Sequence, residues 1–140
     1  NYNLAVRDIE ADVLPLCAKH RIGVQTYSPL GAGFLTGKYS DRSETFPQGS
    51  RFHVSPAHAE IYFHPEKFRI VEALHSIAQT SGIPGPQLAI AWVLANPGVD
   101  CVLIGARKTS HIDTAVKALD TKLTPDVFRS FPPDVVLNTG

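Results

Sequence analysis

Two short stretches carry the side chains with chemical capacity. The first is residues 22–38, IGVQTYSPLGAGFLTGK. Tyr27 can offer a ring face to a flat heterocycle, and Ser28 can donate to a phosphate. Backbone amides from Leu30 to Gly33 can do the same, and Lys38 adds positive charge. Pro29 ends the preceding extended run, while Gly31, Gly33 and Gly37 permit positive φ and close approach of a ligand. The second stretch is Gly105-Ala106-Arg107-Lys108, which follows an apolar run and opens a helix. Helix-start amides beside two cations suit an anion such as a ribose 2′-phosphate. Taken singly, each stretch has a plainer account: a glycine-rich turn with a surface lysine, and solvated basic residues at a loop tip.

Spacing excludes the two common phosphate-binding fingerprints. From Gly31 to Gly37 there is one residue too many for a P-loop, and from Gly33 to Gly37 one too few. Tyr39 also stands where Mg²⁺ would need Ser or Thr. The G-x-G-x-x-G pattern fails because its third glycine comes one residue late. His53, His58 and His64 are separated by five and six residues, which matches no metal pattern and suits surface or packing histidines.

The elements that would position these loops alternate between strand and helix. Residues 1–6 read as the tail of a strand. Asp8 can cap a helix carrying Ile9, Val13 and Leu16 on one face with Cys17 beside them, and Pro15 kinks it or shortens its first turn. A strand over 22–27 leads into the first loop. Residues 39–63 have no period and suggest a functional loop or lid. A helix begins at His64-Pro65-Glu66, buries Phe68, Val71, Leu74 and Ala78, and stops at Gly82. A second, over 87–96, turns Leu88, Ala91, Trp92 and Ala95 inward before Pro97-Gly98. A strand over 100–104 leads to the second loop. The helix after it, capped by Thr109 or Ser110, places Ile112, Val116 and Leu119 inward. Thr124-Pro125-Asp126 would open a short closing helix, and the tail after Pro132-Pro133 shows no clear structure. This order is the rhythm of parallel βαβ units.

At 140 residues, 44% hydrophobic, with thirteen basic and thirteen acidic residues, the chain is about one domain without a basic stripe. Nucleic acid is therefore not an expected partner. No apolar run approaches the roughly 20 residues that span a bilayer, and no signal peptide is evident, so a cytoplasmic protein is expected. Cys17 and Cys101 sit in apolar contexts as two buried, reduced thiols. Parallel strands this apolar need neighbours and cover on both faces, which two strands and a stub cannot supply. The expectation is the trailing part of a larger α/β sheet, or pairing between copies. In a (β/α)₈ barrel, the loops after the last two strands often make a phosphate site.

YSPLGAGFLTGKY, GSRF, TSGIPGPQLAIAWVLANPGV and VLIGARKTSHID in combination resemble the C-terminal part of aldo-keto reductases. The branch they are most similar to is the bacterial and potassium-channel β-subunit-like one, and the resemblance runs from Asn1 to about Leu123. It implies that residues 1–140 are the C-terminal portion of a (β/α)₈ barrel oxidoreductase that binds NADP(H) and reduces small carbonyl substrates. Tyr27 matches the aromatic residue stacked on the nicotinamide. Ser28, Pro29, Leu30, Gly31 and Gly33 match the pyrophosphate loop, with Lys38 near the phosphates. Arg51 falls where a lid arginine lies over the cofactor. Gly105, Ala106 and Arg107 match the 2′-phosphate and adenosine segment, and His111 replaces a Gln or Arg near the adenine. Thr114 and Ala115 stand where such reductases carry Glu and Asn. Their catalytic Asp, Tyr, Lys and His lie in the first half of the barrel, which no segment here matches. The glutamine that bonds the nicotinamide amide would fall just before Asn1. A non-catalytic nucleotide-binding or interaction module, or an inactive remnant, is the alternative.

Overall fold

A computed structural model describes residues 1–39, 45–124, 127 and 131. Two parallel strands, β1 (Gln25–Tyr27) and β2 (Cys101–Leu103), pair in the register Gln25↔Cys101, Thr26↔Val102, Tyr27↔Leu103. Among the described residues there are six α-helices, of which α5 packs on β2: α1 (Val13–His20), α2 (Arg51–Val54), α3 (Ala59–Tyr62), α4 (Pro65–Ser81), α5 (Gly85–Leu94) and α6 (Thr109–Leu119). The architecture is thus α/β with a parallel sheet flanked by helices. No helix among the described residues is long and apolar enough to cross a membrane.

Both strands are shorter than their sequence patterns predict. Ile22 is exposed, its amide tied back to the carbonyl of Cys17 at the left-handed end of α1. Val24 still joins the ladder through its carbonyl, which accepts from Asp100 and Cys101. Residues 1–6 form a turn closed by an Asn3–Val6 bridge rather than a strand, although the Tyr2 amide donates to the Tyr27 carbonyl beside β1. The predicted first helix divides into a 3₁₀ turn (Asp8–Glu10) and α1, whose cap is Asp12 rather than Asp8. Pro15 sits in the first turn of α1, where its missing amide has no intrahelical partner to lose. Leu14 is buried there, whereas Val13 and Leu16 face out.

Of the predicted loop over 39–63, residues 40–44 lie outside the described residues, and residues 45–63 are not an open loop. The chain folds as α2, a 3₁₀ turn (Pro56–His58) and α3, held by an aromatic cluster. Phe52 lies 4.8 Å from Tyr39 and 5.9 Å from Tyr62, centroid to centroid, and Phe34 lies 5.6 Å from Tyr62. Such pairs add about 0.5–1.5 kcal/mol each beyond burial. Helix α4 follows its predicted bounds and stops at left-handed Gly82; Lys67 and Ile70 join Leu74 in its buried set. In α5, residues 88–93 are all buried, Trp92 included, and Ala95 is exposed beyond the helix end.

The α6 stripe is reversed from expectation: Ala118 is buried, while Ile112, Val116 and Leu119 face outward. Cys17 is half-buried and Cys101 exposed, so neither is the buried thiol expected. His58 bonds the Ser55 hydroxyl and His64 the Glu60 carbonyl, and no metal-binding group of His, Cys, Asp or Glu exists among the described residues. At the predicted closing helix the Thr124 hydroxyl accepts from the Val127 amide at 3.3 Å, as a cap does, while residues 125–126 and the tail after 131 lie outside the described residues.

Lys67 is 3% exposed, with its ammonium donating to the Ile61 carbonyl and facing the Tyr62 ring. Burial lowers its pKa from 10.5, against the opposing pull of Asp8 and Glu66. A base lowered on folding carries its full penalty below the folded-state pKa and loses it as pH climbs toward 10.5. Lys67→Met should therefore melt most favourably relative to wild type at about pH 7, with the difference narrowing by about pH 9.5. Thermal melts of both proteins across that range check this. A constant difference would mean that the charge is not involved.

Candidate functional site

The parallel register decides where the two loops go. Tyr27 and Leu103 are ladder partners, so residues 28–38 and 104–108 leave adjacent strands at the same end. Tyr27 is 54% exposed there, its ring open to a ligand. Thr26, one residue earlier, points the other way and is buried.

The chain turns sharply after Tyr27. Ser28, Gly31, Ala32 and Gly33 all take positive φ, and Pro29 is buried, so it shapes the loop's path. The amides of Gly31 and Gly33 are already bonded to the carbonyls of Ser28 and Leu30, at 2.9 and 3.0 Å. Two of the amides expected to meet a phosphate are thus committed within the loop. The Ser28 hydroxyl and the Leu30 amide have no protein partner among the described residues. Lys38 is exposed and folds back over the Tyr39 ring, 5.1 Å from its centroid. A Cβ on Gly33 would meet the Lys38 ammonium at 3.0 Å, so glycine there leaves space for the cation.

Three residues not anticipated from the sequence brace this turn. The buried Asn3 donates from Nδ2 to the Ser28 carbonyl at 3.0 Å and to Oδ1 of Asn1 at 3.1 Å. The Tyr62 hydroxyl exchanges hydrogen bonds with the Asn1 amide at 3.1 and 3.2 Å. The Tyr62 ring lies against Gly31, where a Cβ would sit 2.8 Å from Cε1. Burial raises the Tyr62 pKa, opposed by the bonds from Asn1 and Asn3, so its hydroxyl stays protonated and able to donate.

Gly105, Ala106, Arg107 and His111 are all exposed on the second loop and the start of α6. The Arg107 amide donates to Nδ1 of His111 at 3.4 Å. Its guanidinium donates to the Gly49 carbonyl at 3.0 Å, which ties this loop to the segment just before α2. Arg51 is exposed at the first position of α2, and the buried Ser50 caps that helix. Arg107 is therefore held two residues in sequence from Arg51, through Gly49. The exposed ring of Tyr27, the unpartnered Ser28 hydroxyl and these cations provide a stacking face, a phosphate donor and charge for an anionic nucleotide. A groove of about 440 Å³ between the end of the first loop, α4 and α5 is lined by Leu35, Thr36, Gly37 and Tyr39 of that loop but not by Tyr27, Ser28, Lys38, Arg51 or Arg107.

The sequence model described as "Aldo/keto reductase family" matches residues 1–131. A "Probable voltage-gated potassium channel subunit beta" of Arabidopsis thaliana is 40% identical over 131 residues, covering 90% of this chain and 39% of that protein. "Probable aldo-keto reductase 1" of Glycine max is 35% identical over 136 residues, covering 94% and 38%. "Aldo-keto reductase yakc [NADP(+)]" of Schizosaccharomyces pombe is 28% identical over 123 residues, covering 88% and 36%. The chain thus spans about two fifths of the length of these curated relatives.

Proposed function

Because the chain belongs to the aldo/keto reductase family, whose fold is a (β/α)₈ barrel, we propose that residues 1–140 are the C-terminal, cofactor-gripping portion of a cytoplasmic NADP(H)-dependent reductase of small carbonyl compounds. The observation that carries this is the parallel register of β1 and β2, which sends both loops out at one end of the sheet. NADP(H), when bound, supplies the hydride. Of this chain's residues, Tyr27 would stack on the nicotinamide, and Ser28, Leu30, Gly31, Gly33 and Lys38 would surround the pyrophosphate, on the path that Pro29 sets. Gly105, Ala106, Arg107 and His111 would hold the adenosine and its 2′-phosphate, with Arg51 above. The relative named with NADP(+) supports that choice of cofactor. The acid that protonates the carbonyl oxygen would come from the other barrel half.

Titrating the folded chain with NADPH and NADH, followed by cofactor fluorescence, tests this. Saturable binding with preference for NADPH is expected. A chain folded by circular dichroism that binds neither would overturn it. A second reading, a nucleotide-binding subunit without turnover of its own, is favoured by the higher identity to the proteins named as channel subunits. Carbonyl reduction by the chain joined to its catalytic half separates the two.

The outward apolar faces belong to the same proposal. Val116 and Leu119 on α6 are 54% and 68% exposed, and Val13 and Leu16 on α1 are open too. The missing barrel half would cover such faces, and without it copies of the chain would associate through them. Each such side chain is worth about 1.5–3 kcal/mol when buried. Val116→Glu with Leu119→Glu should therefore lower the binding of a hydrophobic-surface dye and weaken self-association by about tenfold or more, read by light scattering. Unchanged scattering would mean that this face makes no contact.

A further inference from the structure

Ser28 has φ +59°. A left-handed backbone costs a residue with a Cβ roughly 1–2 kcal/mol, and such strain persists only where the surroundings impose it. Its carbonyl receives two hydrogen bonds, from the Gly31 amide at 2.9 Å and from Asn3 Nδ2 at 3.0 Å. The first is local to the turn. The second comes from a fully buried side chain 25 residues away. Asn3 cannot be turned over to present its oxygen instead, because its Oδ1 accepts from the Ala5 amide at 2.9 Å. With the carbonyl drawn inward, the Ser28 hydroxyl is left without a protein partner among the described residues.

Resting on the dinucleotide-binding reading above, we propose that Asn3 is a positioning residue for that site. It holds Ser28 in the left-handed conformation, and that conformation presents the Ser28 hydroxyl to a phosphate oxygen. Asn3 touches no ligand and acts only through Ser28. A purely structural Asn3 would stabilise the fold without regard to which residue occupies position 28.

A double-mutant cycle in the full chain, with NADPH as probe, separates these roles. Asn3→Asp keeps the acceptor for Ala5 and the shape but turns an oxygen toward the Ser28 carbonyl. It should weaken NADPH binding about tenfold, the scale of one lost hydrogen bond to a buried group. Ser28→Gly loses the hydroxyl but takes positive φ unaided. In that background Asn3→Asp should cost about twofold or less. Equal cost in both backgrounds, or no cost in the wild-type background, overturns the proposal. Should Asn3→Asp fail to fold, Ser28→Thr against Ser28→Ala decides. Threonine keeps the hydroxyl but its branched Cβ resists the left-handed region, whereas alanine loses the hydroxyl. Threonine binding NADPH about tenfold worse than wild type, as weakly as alanine, supports the proposal, and threonine binding like wild type overturns it. If wild type binds no NADPH, the dinucleotide reading fails instead, before any variant is made.

Discussion

Gly31→Ala should destabilise the protein by about 3 kcal/mol, the sum of a left-handed penalty and an overpacking penalty. Gly31 has φ +55°, and an added Cβ would lie 2.8 Å from Cε1 of Tyr62. The ring has nowhere to retreat. Tyr62 is 1% exposed, stacks on Phe34 at 5.6 Å, and is anchored through its hydroxyl to Asn1. Gly49→Ala is the control: it has φ +72° but nothing within 4 Å, so it should cost only the backbone part, about 1 kcal/mol. Denaturant unfolding of both variants reads the difference directly. Equal losses would mean that Tyr62 moves freely and does not brace the loop. Gly31→Ala should also weaken NADPH binding in any fraction that stays folded, because the displaced ring carries the Ser28–Gly31 turn with it.

The elements that announced themselves were those whose ends are local chemistry. Pro65 at a helix start and Gly82 at its end mark α4 without reference to anything distant. The same holds for the two strand-end loops, where Pro29 and the glycines must interrupt the ladder. What stayed hidden depends on contacts remote in sequence. Asn3 and Tyr62 matter because they meet near Ser28, 25 and 34 positions away, and no periodicity records that meeting. The density of rings at Tyr39, Phe46, Phe52, Tyr62, Phe63 and Phe68 was the available sign that residues 45–63 are packed rather than open. In α6 the apolar period was legible but not the direction it faces. Periodicity identifies a stripe, and only the neighbouring elements determine which side of the helix they cover. Ile112, Val116 and Leu119 face away from α5 because the small Ala115 and Ala118 make the closer helix contact.

Arg107→Ala should weaken NADPH binding by about tenfold to a hundredfold while leaving NADH within about threefold. The guanidinium is exposed on the loop after β2, and among the described residues its side chain bonds only the neutral Gly49 carbonyl. A phosphate dianion is a stronger acceptor than that carbonyl, and charge-assisted bonds to it are worth about 1.5–3 kcal/mol. NADH has no 2′-phosphate, so it should be nearly blind to the loss. If Arg107 served only to fasten the 47–50 segment through Gly49, alanine would weaken both cofactors alike. Arg107→Lys refines the test: the charge remains but the planar fork does not, so NADPH affinity should fall between wild type and alanine. Salt supplies a further discriminant. The penalty of the alanine variant toward NADPH should shrink as ionic strength rises, because screening removes first the attraction between an exposed cation and phosphate. An equal, salt-independent loss for both cofactors would place the 2′-phosphate elsewhere and leave Arg107 as a fastener of the 47–50 segment.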